Sequence, residues 1–253
     1  MTISGQSGVG EIRWFNDFGG AEIPVANALA YGTTGGGCNY YLGDFKLIGD
    51  LAETDTGAVS TDKGNGYILL SGNDENGKGA AIATGVNLSP ALNGTIVVEC
   101  RLERASLADG VVFVGLAATL ADDVAEPVTS TGTAITKVVA CLGFLLDSQL
   151  NADDGLWHMP YVLASDTTQT STDVESSQTA VAGESDLVRL EVDNNGAARW
   201  FINGKLEQTV GAGLAATPGT LMGACVGCCA TTGTPASVDV DYLLVDANRD
   251  WTR

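Results

Sequence analysis

Hydrophobic and polar residues alternate most cleanly between residues 187 and 210. Val188, Leu190 and Val192 are separated by Arg189 and Glu191 and followed by Asp193. A period of two marks a strand with one buried face. After Asn194-Asn195-Gly196, Ala198, Trp200 and Ile202 alternate with Arg199 and Phe201. Asn203-Gly204 is a two-residue hairpin signal, since both residues tolerate positive φ. Lys205–Val210 resumes the alternation, with Leu206, Gln208 and Val210 placed on one face. The segment predicts an antiparallel meander.

Further strands are predicted at Tyr67–Ser71, Ala80–Thr84, Thr95–Arg104, Val111–Ala117, Val138–Leu146, Trp157–Ala164, Leu221–Ala230 and Ser237–Val245. Val98, Cys100 and Leu102 oppose Glu99, Arg101 and Glu103, and Val238, Val240 and Tyr242 oppose Asp239 and Asp241. Leu116, Leu120 and Val124 lie four apart, which predicts one short helix over Leu116–Glu126, stopped by Pro127. Ser165–Glu184, rich in Ser, Thr, Asp and Gln, predicts a long exposed loop. About eleven strands with turn residues between them predict an all-β, two-sheet antiparallel sandwich. Residues 61–253 form that sandwich in this reading. Residues 1–60, Gly-rich and weakly periodic, are expected as an N-terminal extension packing on the sandwich or on a neighbour.

Composition narrows the function. Asp and Glu number 31 against 12 Lys and Arg, a net charge of −19, yet only 17% of residues are charged. Such a chain repels phosphates and anionic membrane surfaces, so neither nucleic acid nor membrane is expected as a partner. No apolar run reaches transmembrane length. Met1–Gly5 lacks a basic stretch leading into an apolar one, so no signal peptide is expected. The cysteines are then expected to be reduced. Cys225, Cys228 and Cys229 sit in an apolar run that reads as a buried strand, with Cys225 and Cys229 on one face and Cys228 on the other. No second cysteine pair completes a zinc site, and His158 is the only histidine.

Catalytic patterns are missing. No G-x-S-x-G elbow is present, and His158, within Trp157-His158-Met159-Pro160, reads as structural. β-Sandwich glucanases carry a Glu-x-Asp-x-x-Glu pattern on one strand. The nearest match, Glu191-Val192-Asp193-Asn194-Asn195-Gly196, ends in glycine and reads as a solvated strand face. No enzyme activity and no metal are expected. Ca²⁺ stays open as an alternative because acidic pairs occur at Asp74-Glu75, Asp122-Asp123 and Asp153-Asp154. Gly35-Gly36-Gly37 lacks a following Lys-Ser/Thr, so no nucleotide site is implied. Trp14, Phe15, Tyr40, Tyr41 and Trp251 are the candidates for anchoring a partner or the chain ends. Trp157 and Tyr161 are the candidate shelf for a sugar, and Trp200 is read as core.

Leu187–Val210, with Trp200-Phe201-Ile202-Asn203-Gly204-Lys205, resembles the late meander of concanavalin A-like (laminin G-like) jelly-roll domains. Val238–Val245 resembles that family's last strand, and Gly110–Leu116 and Leu142–Asp147 its middle strands. Within the superfamily, Arg13-Trp14-Phe15-Asn16-Asp17-Phe18 and the Gly/Ala/Thr-rich acidic composition are similar in style to tailed-phage capsid decoration and cement proteins. The resemblance implies a non-enzymatic, structural or adhesive virion protein, assembled in the host cytoplasm as a homo-oligomer and binding capsid subunits. The alternative is a lectin-like module that binds surface glycans.

Overall fold

The computed structural model describes residues 10–19, 41–49, 57–61, 63–64, 66–72, 79–108, 110–120, 128–131, 134–137, 140–147, 150, 155–163, 174–231 and 235–249. Two antiparallel sheets pack face to face. Sheet A runs β17 (Lys205–Val210), β16 (Ala198–Ile202), β15 (Ser185–Val192), β7 (Ile96–Glu103), β19 (Ser237–Asn248), β5 (Ile68–Ser71) and β4 (Gly57–Ser60). β1 (Glu11–Asn16) pairs with the C-terminal half of β19. Sheet B runs β14 (Glu175–Thr179), β12 (Leu156–His158), β11 (Cys141–Asp147), β8 (Val111–Ala117), β18 (Gly223–Cys229), β6 (Gly79–Ala83), β3 (Phe45–Gly49) and β2 (Tyr41–Leu42). β13 (Tyr161–Val162) pairs with β11, and β9 (Val128–Thr131) forms a separate hairpin with β10 (Ala134–Lys137).

The two sheets are built from different kinds of strand. In β7 every second residue is buried, and Ile96, Val98, Cys100 and Leu102 face the sandwich interior. β15 continues this with Val188, Leu190 and Val192. In β8, β11 and β18 all seven positions are buried, so these strands are covered on both faces. Their inward residues join the main core. Their outward ones, Val111, Phe113, Ala117, Cys141, Leu145, Cys225 and Cys229, form a second cluster with Ile135 of β10 and Leu150. Cys228 faces the main core while Cys225 and Cys229 face the outer cluster, as the alternation predicted. Trp200 is buried between the sheets, and its indole N–H donates to the Gly143 carbonyl of sheet B at 2.8 Å.

Several expectations are corrected. Leu116 and Ala117 end β8 and are not helical; Leu120 packs on the outer cluster. Pairing of β8 with both β11 and β18 outweighs the four-residue apolar spacing. Residues 121–127 lie outside the described ones, among which the one α-helix is α1 (Pro90–Asn93). The polar stretch expected as a loop contains β14, an edge strand paired with β12. Trp157–Ala164 splits into β12 and β13 around Met159-Pro160, where proline has no N–H to give to a ladder. From residues 1–60, β1 and β4 are paired into sheet A, and β2 and β3 into sheet B.

Two bulges change which side chains share a face. An extra residue, Asp241, enters β19 opposite β7, so Leu243 and Val245 point inward and Tyr242 does not continue the Val238–Val240 face. An extra residue, Glu207, enters β17 opposite β16, which separates Leu206 from the face of Gln208 and Val210. A bulge adds one residue to one strand and reverses the alternation beyond it.

Candidate functional site

The outer face of sheet A holds the carboxylates that resembled a catalytic pair. Glu191 lies opposite Arg199 and Arg189 opposite Glu99 in the ladder. Arg199 contacts Glu191 and Asp193, each at 3.1 Å, and Arg189 contacts Glu191 at 2.8 Å and Glu99 at 3.1 Å. Burial works against the Arg189 charge, but its bonds to Glu191 and Glu99 win and raise its pKa. The ladder continues with Arg101–Asp241 at 2.7 Å, Lys63 between Glu103 and Asp239 at 2.7 and 2.6 Å, and Arg13–Asp246 at 2.6 Å. Tyr242 donates to Glu99 at 2.7 Å, and burial together with that bond pushes the phenol pKa up. Gly196 has φ +77°, and a Cβ there would lie 2.1 Å from the Ala216 carbonyl oxygen. A third carboxylate therefore has no room at that position.

A second polar network ties the two sheets together at the β14 and β17 edges. The bulged Glu207 accepts from the Ser177 N–H at 2.8 Å, the Ser177 hydroxyl at 3.0 Å and Gln178 at 3.1 Å, and it pairs with Lys205 at 3.0 Å. Its side chain is 4% exposed. Burial alone would raise its pKa, but the four bonds together hold it down at about 2. Beside it, Asp186 accepts from the Trp157 indole and from Asn203, both at 2.9 Å.

These contacts place the aromatic candidates. Trp157 is fully buried, edge-on to Phe144, with its indole N–H committed to Asp186. It is a core anchor and offers no open ring to a sugar, which corrects that expectation. Tyr161 is half-buried and packs its ring 5.9 Å from that of Trp200. Trp14 packs against the main core, whereas Phe15, on the other face of β1, lies 5.8 Å from Tyr242 and is 38% exposed. Tyr41 is 60% exposed at the far edge of sheet B, so the structure does not bring it together with Phe15. Tyr40 and Trp251 lie outside the described residues, as do the acidic pairs considered for Ca²⁺. Among the described residues no three His, Cys, Asp or Glu side chains converge as metal ligands. Cys225 and Cys228 are buried, and that burial pushes their thiols up to about 12 and about 11.

Tyr41 borders a cleft of about 210 Å³ on the outer side of sheet B. Tyr41 pairs with Lys46 across β2 and β3, and Lys46 pairs with Ala83 of β6. Asp44 enters from the β2–β3 turn, and Ile48, Ala83, Val86 and Leu120 supply apolar wall. Thr84 stiffens the end of β6, donating to the Gly85 carbonyl and accepting from the Ala224 N–H. Asp44 and Lys46 were not singled out from sequence. The signal available was the Gly43-Asp44 turn just after Tyr40-Tyr41.

No protein-family model matches the chain, and no curated protein matches its sequence. Solved structures do match in fold. A protein of unknown function from Shewanella oneidensis MR-1 aligns at TM-score 0.61 and 11% identity, over 100% of this chain and 92% of that one. Peanut lectin aligns at TM-score 0.53 and 12% identity, over 94% and 97%. An endo-acting O-glycanase of the human gut microbiota aligns at TM-score 0.56 and 9% identity, over 92% and 98%. The chain has the concanavalin A-like jelly-roll fold shared by lectins and glycosidases.

Proposed function

We propose that the protein is a non-enzymatic adhesive protein, which holds on to a larger surface and turns nothing over. The observation that carries this reading is the state of Glu191 and Asp193. Both are bound to arginines in a strand ladder, and Gly196 leaves no space for a third carboxylate. A glycosidase acid needs a proton to give and a base needs an open lone pair, with the two facing each other across a sugar. Carboxylates held by guanidinium groups, with no third carboxylate beside them, supply neither.

The larger surface, in this reading, is the shell of a tailed phage, as the sequence resemblance implies. Support comes from one group of loops. α1 is hydrogen-bonded to the 211–222 loop through Ala91 N–H and the Pro218 carbonyl, and these two segments expose Leu92, Leu214 and Leu221. Exposed leucines on two joined loops suit contact with a partner. A net charge of −19 keeps decorated particles apart. Sedimentation of the native particle fraction, with mass spectrometry, tests the reading. Co-sedimentation at a fixed ratio to the main shell protein is expected, and a chain found only in the free fraction overturns it.

A second reading, a lectin-like carbohydrate-binding module, is favoured by the exposed Tyr41 ring beside its cleft. Peanut lectin and the O-glycanase carry names that imply glycan ligands, and the same fold suits that use here.

A further inference from the structure

We propose that the cleft between the β2–β3 hairpin and the end of β6 seats one neutral pyranose unit of a glycan. The sugar stacks a C–H face on Tyr41 and donates a hydroxyl hydrogen bond to Asp44. This rests on the carbohydrate-binding reading and gives it a place and a ligand class.

The argument starts from size. The cleft, about 210 Å³, is smaller than the roughly 300–1,000 Å³ pockets that enclose a drug-sized ligand. It takes a single ring, with the rest of the chain left in solvent. Its chemistry is two-sided. Ile48, Ala83, Val86 and Leu120 make an apolar wall, while Tyr41, Asp44, Lys46 and Thr84 supply polar groups. A pyranose is two-sided in the same way, with C–H groups on its faces and hydroxyls around its edge. Aromatic rings left 60% exposed beside a carboxylate suit that ligand, because the ring covers C–H groups while its own hydroxyl keeps a polar partner.

Other ligand classes fit less well. An anion, whether a phosphate or an acidic sugar, meets Lys46 in the lining but also Asp44 beside it, so the local charges cancel and the chain's net charge of −19 disfavours it. An extended peptide needs a long free edge for strand addition, and β2 has two residues. A metal ion would need several converging oxygen ligands, and Asp44 is the one carboxylate among the described residues lining the cleft.

Saturation-transfer NMR on the full chain, with chitotriose, maltotriose, cellotriose and β-1,4-galactotriose as probes, tests this. At least one probe is expected to receive transfer at its ring C–H protons, with a dissociation constant on the order of 1 mM. Tyr41→Ala is expected to weaken that binding by about tenfold or more, the equivalent of about 1.4 kcal/mol, whereas Tyr41→Phe keeps it. Asp44→Asn weakens it a few-fold, and Leu206→Ser, on sheet A, leaves it unchanged. Transfer that survives Tyr41→Ala overturns the cleft assignment but not the carbohydrate reading. No transfer to any of the four probes overturns both. An unchanged melting temperature in Tyr41→Ala shows that a loss of binding is not a loss of fold.

Discussion

The outer faces of the two sheets solve the same problem in opposite ways. A β-sheet packed on one side has a second face to dispose of. Sheet A leaves that face to water and covers it with charge pairs, from Arg13–Asp246 through Arg189–Glu99 to Arg199–Glu191. Sheet B makes it apolar and buries it with Phe113, Leu145, Cys225, Ile135 and Leu150. The difference explains where function has room. Sheet A's face is stable without a partner, because each cross-strand charge has its opposite beside it. Sheet B's face is filled from within the chain, so its open ground is the edge, where β2 and β3 border the Tyr41 cleft. The bulges sharpen the contrast. Asp241 and Glu207 are both extra residues, and both are acidic. Asp241 joins the sheet A ladder through Arg101, whereas Glu207 bonds to β14 where the edges of the two sheets meet.

The strongest way to break this comparison is Phe113→Ala. If the outer face of sheet B is true core, the substitution costs about 3–5 kcal/mol in urea or guanidinium unfolding. A loss under about 1 kcal/mol would mean that this face behaves as surface.

Glu207 comes next. Its folded pKa, about 2, lies below its ordinary value of 4.5, and its side chain is 4% exposed. A depressed carboxylate contributes stability that is fully present above pH 4.5 and is lost as pH falls toward 2. Discounted for solvent screening at the sheet edge, the shift corresponds to about 1–2 kcal/mol. Glu207→Gln is therefore expected to lower stability at pH 7 by about 1–2 kcal/mol, with the gap to the parent closing between pH 4.5 and 2. Equal differences at pH 7 and pH 2 would remove the charge from the explanation.

The sheet A ladder is expected to matter less, because its arginines are about 40% exposed. Arg199→Ala, which releases Asp193 and leaves Glu191 to Arg189 alone, costs about 1 kcal/mol at low salt and less at about 1 M salt. A cost that does not change with salt would point to lost packing of the arginine stem instead. Smallest of all is Leu206→Ser, on the open face of sheet A, expected within about 0.5 kcal/mol of the parent. A larger loss there would show that this face also hides core.

Much of the sandwich was legible in the chain. Strict alternation in β7, β15 and β16 told one face from the other, because a sheet with one wet face must place polar residues at every second position. The apolar runs of β8, β11 and β18 were legible as strands, and that of β18 as buried. What covered their outer side was not, since Ile135 and Leu150 lie far from Phe113 and Cys225 in sequence. β14 was misread because Glu175–Thr179 is wholly polar and finds its partners in β12 and Glu207. At the candidate site, Tyr41 was singled out, but beside Trp14 and Phe15, which the fold sends to the other sheet. Trp157 was singled out for the wrong role, because its indole partner, Asp186, lies 29 positions away.

By itself, then, the amino-acid order determined the two-sheet architecture, the reversal points at Asn203-Gly204 and Gly196, the buried cysteine strand and the acidic character of the surface. Those properties follow from near neighbours: a period of two, a residue that accepts positive φ, a count of charges. Tertiary structure alone decided which carboxylates were paired, which aromatic ring stayed open and where a cleft formed. Each of those depends on strands distant in sequence meeting in one register. One inserted residue, as at Asp241 or Glu207, shifts that register and changes which neighbour a side chain meets.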